Sequence, residues 1–260
     1  METLDSAQHV YRKLHYLPGR LDNEPLERCI PLDNGRHDCT PISTGFGFAT
    51  SQLNRLPIEL VIEILLQLDI PSLTRFRCIN RRAMQLVNSI HQYAAIIEHC
   101  PNIIRAIITI QAEAFDCDTL YRTLCTTQCS TCNRFGDYLY LIVCRRVCYF
   151  CLIKRPEYPP LEINDAYRIW ASNVGRQRDE RIFCKFFSFA KPPKILSLPE
   201  PSMSMYSRGV RPRLFDLQVV IQGLLGSGPF REDYLDRDHQ RFKAVITAPV
   251  LLNGGRQVDY

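Results

Sequence analysis

The sequence predicts a mainly α-helical protein with one small β-containing module built on cysteines. Three observations lead there. Apolar residues recur at helical spacing through Leu53–Ile90, and a second helix-compatible apolar run follows over 91–111. Two Cys-x-x-Cys pairs, at 129/132 and 148/151, then bracket a short stretch of β-formers.

The 53–90 stretch reads as three short helices. Leu56-Pro57 opens the first, with the proline at a helix start, where its missing N–H costs nothing. Leu60, Ile64 and Leu68 stand four apart with Val61 and Leu65 beside them, a broad apolar stripe of helical period. Asp69 and Pro71 stop this helix and start a brief second one carrying Leu73, Phe76 and Cys78. Asn80 restarts the chain into a third, with Met84, Val87 and Ile90 on one side. Fewer than about 40 residues rarely bury enough surface to stand alone. These aliphatics must therefore be covered by the rest of the chain or by a partner, at about 1.5–3 kcal/mol per buried side chain.

Leu56, Pro57, Glu59, Leu60, Ile64, Leu65, Leu68, Leu73, Arg81, Arg82 and Leu86 fall, without a gap, where the F-box motif has its characteristic residues. The stretch resembles an F-box, with Cys78 and Asn80 as mild departures. The resemblance implies docking to a Skp-family adaptor, and through it to a cullin ubiquitin ligase. It also implies the contact residues: Leu56, Pro57, Leu60, Ile64, Leu65 and Leu73, with Glu59 at the edge.

With 46% apolar and 23% charged residues over 260, the chain has the composition of a globular protein of one or two domains. The formal charge of +5 is dispersed, and Arg145–Arg146 and Arg176, Arg178 and Arg181 read as solvated surface rather than a nucleic-acid footprint. No apolar run reaches the roughly 18 residues of a membrane span. The first residues lack a signal-peptide core, so an intracellular setting, cytoplasm or nucleus, is expected. Twelve cysteines there point to thiols and metal rather than disulfides.

Residues 1–50 show no period and read as a flexible lead-in. In 91–111, Pro101 divides two apolar pieces, the second dense enough in β-branched residues to be helix or strand. His91 and His99 there read as ordinary packing or surface residues. A helix is expected from about Asp118 to Thr126, with Asp118 as N-cap. The pairs Cys129/Cys132 and Cys148/Cys151 are 15 residues apart, the spacing of a four-cysteine zinc site. Each pair can wrap a turn that aims two sulfurs at one ion, and Asn133 can take the left-handed conformation such a turn needs. Tyr138–Val143 suits a hairpin arm between them. Cys125 and Cys144 compete as ligands, and the paired set has the better geometry. A site closed by four thiolates is structural. The fold class is thus mainly α with a small β-containing zinc module.

The cysteine segment, with Phe135-Gly136, Tyr138–Leu141, Cys144, Arg146–Cys148 and Cys151-Leu152, is similar to one that follows the F-box in many proteins of filamentous fungi. Ile195–Pro199 and Tyr206 look like its continuation, although Glu200 stands where glycine is usual. Beyond it, Asn164–Asn173 suits an amphipathic helix with Tyr167 and Trp170 on one side, and Cys184 reads as a packed thiol. Pro192–Pro193 and 199–209 mark loops, and Leu214–Leu225 reads as a buried helix or strand. Residues 223–229 form a turn and 230–243 a solvated helix. The expected organisation is 1–50 flexible, 51–97 F-box, 98–160 helical and zinc-binding, and 161–260 of unknown role.

Four paired cysteines without an intervening histidine exclude a RING-type ligase, which needs eight interleaved ligands, and no nucleophile or acid–base set stands out. The leading expectation is a non-catalytic F-box substrate receptor. The alternative is a zinc-dependent nucleic-acid binder, or a scaffold without a ligase role.

Overall fold

Capping chemistry places the first helices close to where the spacing puts them. In the computed structural model, which describes residues 56–173, 180–197, 211–225, 241–251 and 257–258, α1 spans Ile58–Leu66, α2 Ile70–Arg77 and α3 Arg81–Asn88. Asp69 caps α2 by accepting from Ser72 N–H at 2.8 Å, and Asn80 caps α3 by accepting from Ala83 N–H at 2.8 Å. Pro57 occupies the cap position of α1 itself, one residue before the helix.

The β-branched run after Pro101 is a helix. Helices α4, His91–His99, and α5, Pro101–Ile110, pack against one another, and α5 buries Ile103, Ile104, Ala106, Ile107 and Ile110. That spacing is helical, and burial of one face outweighs the propensity of isoleucine for strands. Helix α6 runs from Cys117 to Cys125, and its cap is Asp116, which accepts from Thr119 N–H at 2.7 Å. Asp118, expected in that role, lies in the first turn and pairs with Arg122 at 2.7 Å instead.

Strands β1 (Tyr138–Tyr140) and β2 (Arg145–Val147) form the expected hairpin, and helix α7 (Tyr149–Lys154) follows at once. After a short strand β3 (Leu161–Glu162) come α8 (Ile163–Asn173), α9 (Glu180–Phe189), β4 (Lys194–Leu196), β5 (Arg213–Phe215) and α10 (Leu217–Leu225). Leu214–Leu225 is therefore both alternatives in turn, strand and then helix, with Asp216 at the switch. A 3-10 turn over Phe242–Ala244 leads into β6 (Val245–Thr247), and β7 (Val250–Leu251) pairs with β8 (Gln257–Val258). The readings of 1–50, 199–209 and 226–240 fall outside the described residues.

Among the described residues three antiparallel sheets result, in the orders β2-β1-β6, β3-β5-β4 and β7-β8. One continuous apolar cluster runs from Val61 on α1 through α4, α5, α6, the hairpin and α7 to Leu251. A second gathers Trp170, Phe183, Phe215, Leu217 and Val220 from α8, α9, β5 and α10. There Tyr167 and Trp170 share a side of α8 as expected, and Phe183 packs on both at 5.2 and 5.8 Å between ring centres. Cys184 on α9 is exposed rather than packed.

Asp216 is buried, caps α10 by accepting from Val219 N–H at 3.0 Å, and lies near Tyr140. Burial pushes its carboxyl above the usual range, outweighing the Val219 N–H and the positive charge of Arg145. A raised carboxyl adds stability below its unfolded value of 3.8, and that contribution is lost as pH rises through the folded value. Asp216→Asn keeps the acceptor and removes the charge. At neutral pH it should be at least as stable as the parent. Denaturant unfolding at successive pH values above 3.8 should show a flatter profile for the variant.

Candidate metal centre and open helical face

The first cysteine pair sits in a tight knuckle. Gln128 and Phe135 bridge its base, Cys129 N–H donates to the Arg134 carbonyl at 2.6 Å, and Asn133 N–H donates to the Cys129 carbonyl at 3.0 Å. Asn133 turns the corner at φ 58°, the left-handed conformation expected of it. The second pair is not another knuckle. Cys148 is the cap residue of α7, and its Sγ accepts from Cys151 N–H at 3.4 Å across the first helical turn. The hairpin β1–β2 spans the distance between knuckle and helix, as the sequence between the pairs implies.

These elements bring the four sulfurs of Cys129, Cys132, Cys148 and Cys151 within 4.8 Å of one another. Cys132 and Cys148 are 3.6 Å apart, and four sulfurs about 2.3 Å from one zinc ion would stand about 3.8 Å apart. Burial pushes the Cys129 thiol up, but N–H groups of Thr131, Cys148 and Cys132 outweigh it and bring it down to about 7. Burial pushes Cys148 and Cys151 up. One sulfur stabilised as thiolate beside crowded, desolvated partners is a donor set that a soft dication satisfies. Cys125 and Cys144 lie outside the cluster. Cys144 occupies the hairpin turn at φ 53°, and burial raises its thiol to about 12.

Arg146 departs most from the sequence expectation. Read there as solvated, it is 2% exposed and donates all of its N–H groups to backbone carbonyls. Nε reaches Thr123 at 3.2 Å, Nη1 reaches Gly136 at 2.8 Å and Ala248 at 3.0 Å, and Nη2 reaches Leu124 at 3.3 Å and Pro249 at 2.7 Å. It thus ties together the end of α6, the knuckle and the segment after β6. Gly136 has no alternative, because a Cβ there would lie 2.6 Å from Arg146 Cγ. Arg241 plays a similar part, donating to the Leu152 and Arg155 carbonyls at 2.8 and 2.7 Å. Neither role could be found from charge, since an isolated arginine such as Arg241, or one beside another as Arg146 is, reads as surface. The one available signal was strand alternation, which puts Arg146 on the face opposite Arg145.

Helix α1 divides its apolar stripe between two environments. Val61 and Leu65 face the core at 3% exposure each, whereas Leu60 and Ile64 remain 46% exposed, and Leu56 41%. Pro57 and Glu59 are also exposed. Leu73 is fully buried in the chain's own core. Leu65 and Leu73 are therefore not available on the open face, because the helix period turns them inward into the chain's own core. Ile58 and Ile79, which spacing did not single out, are exposed at 41% and 67%.

An exposed aliphatic stripe on the first of three short capped helices, over residues that carry Leu-Pro, Glu-Leu and Ile-Leu, is what the family comparison resolves. Residues 53–94 match the F-box domain. No curated protein and no solved structure matches the chain. F-box domains in general bind Skp-family proteins and typically belong to non-catalytic adaptor subunits of ubiquitin ligases. The F-box here comprises α1–α3 and the first turn of α4. Among the described residues no helix is long and apolar enough to cross a membrane.

Proposed function

We propose that the chain is the substrate receptor of a Skp–cullin–F-box ubiquitin ligase. Its F-box seats a Skp-family adaptor on Leu56, Pro57, Leu60 and Ile64, with Glu59 at the rim. The rest of the chain holds an as yet unidentified protein near the charged ubiquitin carrier, so that transfer is accelerated by proximity rather than by chemistry of its own. The observation that supports this reading most is the half-exposed Leu60–Ile64 stripe within the F-box match. Cys129, Cys132, Cys148 and Cys151 hold one structural zinc ion, which contributes folding energy and no catalysis.

Co-purification with the adaptor tests the docking surface. Leu56→Ala combined with Pro57→Ala should abolish capture, and a double variant that still binds would remove the surface proposed. Reconstituted ubiquitin transfer to a co-purifying target then separates a receptor from a scaffold that docks without promoting transfer. The nucleic-acid reading loses its footing, because its cationic pair lay at Arg145–Arg146 and every donor of Arg146 is bound to the protein's own carbonyls.

A further inference from the structure

We infer that occupancy of the four-cysteine centre sets the strength of adaptor docking, with helix α6 as the connection. This rests on the docking reading above and adds a regulation to it.

Helix α6 is anchored at both ends, by a backbone hydrogen bond at its start and by the Arg146 guanidinium at its end. At its N-terminus, Cys117 N–H donates to the Leu68 carbonyl at 3.2 Å, just beyond the end of α1. Its cap residue Asp116 bridges Asp69, which itself caps α2. The junction between the adaptor-facing helix and the next is therefore held by α6. At the other end, the Thr123 and Leu124 carbonyls accept from Arg146. Arg146 in turn grips the Gly136 carbonyl of the knuckle with its side chain, and its own carbonyl accepts from Ser130 N–H at 2.9 Å, one residue after Cys129. Leu120 and Leu124 are fully buried between the ends, so the helix does not slide independently of the core.

The metal is the cross-link that holds knuckle and α7 together, and it supplies the two states. With the ion bound, Arg146 has fixed partners on the knuckle and the last carbonyls of α6 are satisfied. Without it, nothing cross-links the knuckle to α7, and the knuckle loosens. Arg146 loses its purchase, and the frayed α6 no longer fixes the Leu68–Asp69 junction. The stripe of Leu56, Leu60 and Ile64 then loses its preset angle. Coupling of this kind is reciprocal, so the adaptor must tighten metal binding by the factor by which the metal tightens adaptor binding.

The test measures adaptor affinity for the full chain, zinc-loaded and chelator-stripped, and zinc affinity by competition with a chromophoric chelator, with and without saturating adaptor. The loaded chain should bind adaptor on the order of tenfold more tightly than the stripped one, with the same factor in the zinc titration. Arg146→Lys retains the four thiols and the docking stripe but reaches fewer carbonyls, and should cut both factors below about threefold. Equal adaptor affinity in the two metal states overturns the coupling alone, as does a zinc affinity indifferent to the adaptor. Full coupling in Arg146→Lys overturns the route through α6. If that variant does not fold, the two titrations on the parent chain still decide. A loaded chain that ignores the adaptor at every concentration instead sinks the docking reading itself.

Discussion

Leu60→Asp combined with Ile64→Asp should eliminate adaptor capture and leave the chain folded. Both side chains are 46% exposed, so the free protein loses little when they become polar, while Val61 and Leu65 still hold α1 to the core. About half of each side chain remains for a partner to cover, worth about 1 kcal/mol apiece. Two carboxylates forced into an apolar interface add a desolvation penalty of several kcal/mol. Together the loss should exceed about a hundredfold in affinity. Calorimetric titration with purified adaptor measures it, and circular dichroism verifies the fold. The complementary pair behaves in the opposite way. Leu65→Ala and Leu73→Ala should each cost about 2–5 kcal/mol of stability, because each leaves a cavity, while the folded fraction keeps its affinity. A docking defect in the buried pair with none in the exposed pair would move the interface elsewhere.

The second large effect is expected on removing the metal. Zinc binding to four thiolates contributes on the order of 10–16 kcal/mol at neutral pH, as much as the whole stability of a typical domain, about 5–15 kcal/mol. Cys151→Ser, or a strong chelator, should therefore lower the melting temperature by more than about 10 °C and unfold at least the knuckle, hairpin and α7. Metal analysis of the purified chain should find one zinc ion, lost in Cys132→Ser and kept in Cys125→Ser and Cys144→Ser, whose thiols lie outside the cluster. Cys144→Ser should lose some stability through its buried position, but not its metal. A chain that melts identically with and without chelator would dismiss the site.

The first three helices were legible because short-range chemistry decides them, with Asp69 and Asn80 capping the helices they precede. Over 103–110 the sequence allowed helix or strand, and burial of one face decides for helix. The convergence of Cys129, Cys132, Cys148 and Cys151 was legible because Cys-x-x-Cys is itself a local geometry. Three features were not. The side to which each member of the α1 stripe turns depends on which later helices pack there, so Leu65 and Leu60 look alike in sequence. Asp116 and Asp118 are both good caps, and the backbone bridge to Asp69 accompanies the choice of the first. The burial of Arg146 depends on carbonyls up to 103 residues away, which no window of sequence contains.

The unbroken apolar cluster from Val61 to Leu251 bears on how this protein can be dissected. Excising the matched 53–94 stretch would strip the rest of α4, with α5 and α6, from Leu65, Leu73, Ile90 and Tyr93, leaving oily side chains facing water. Such a peptide should clump or recruit chaperones. Work on the recognition motif of this protein therefore calls for point variants in the intact polypeptide, not for an isolated cassette.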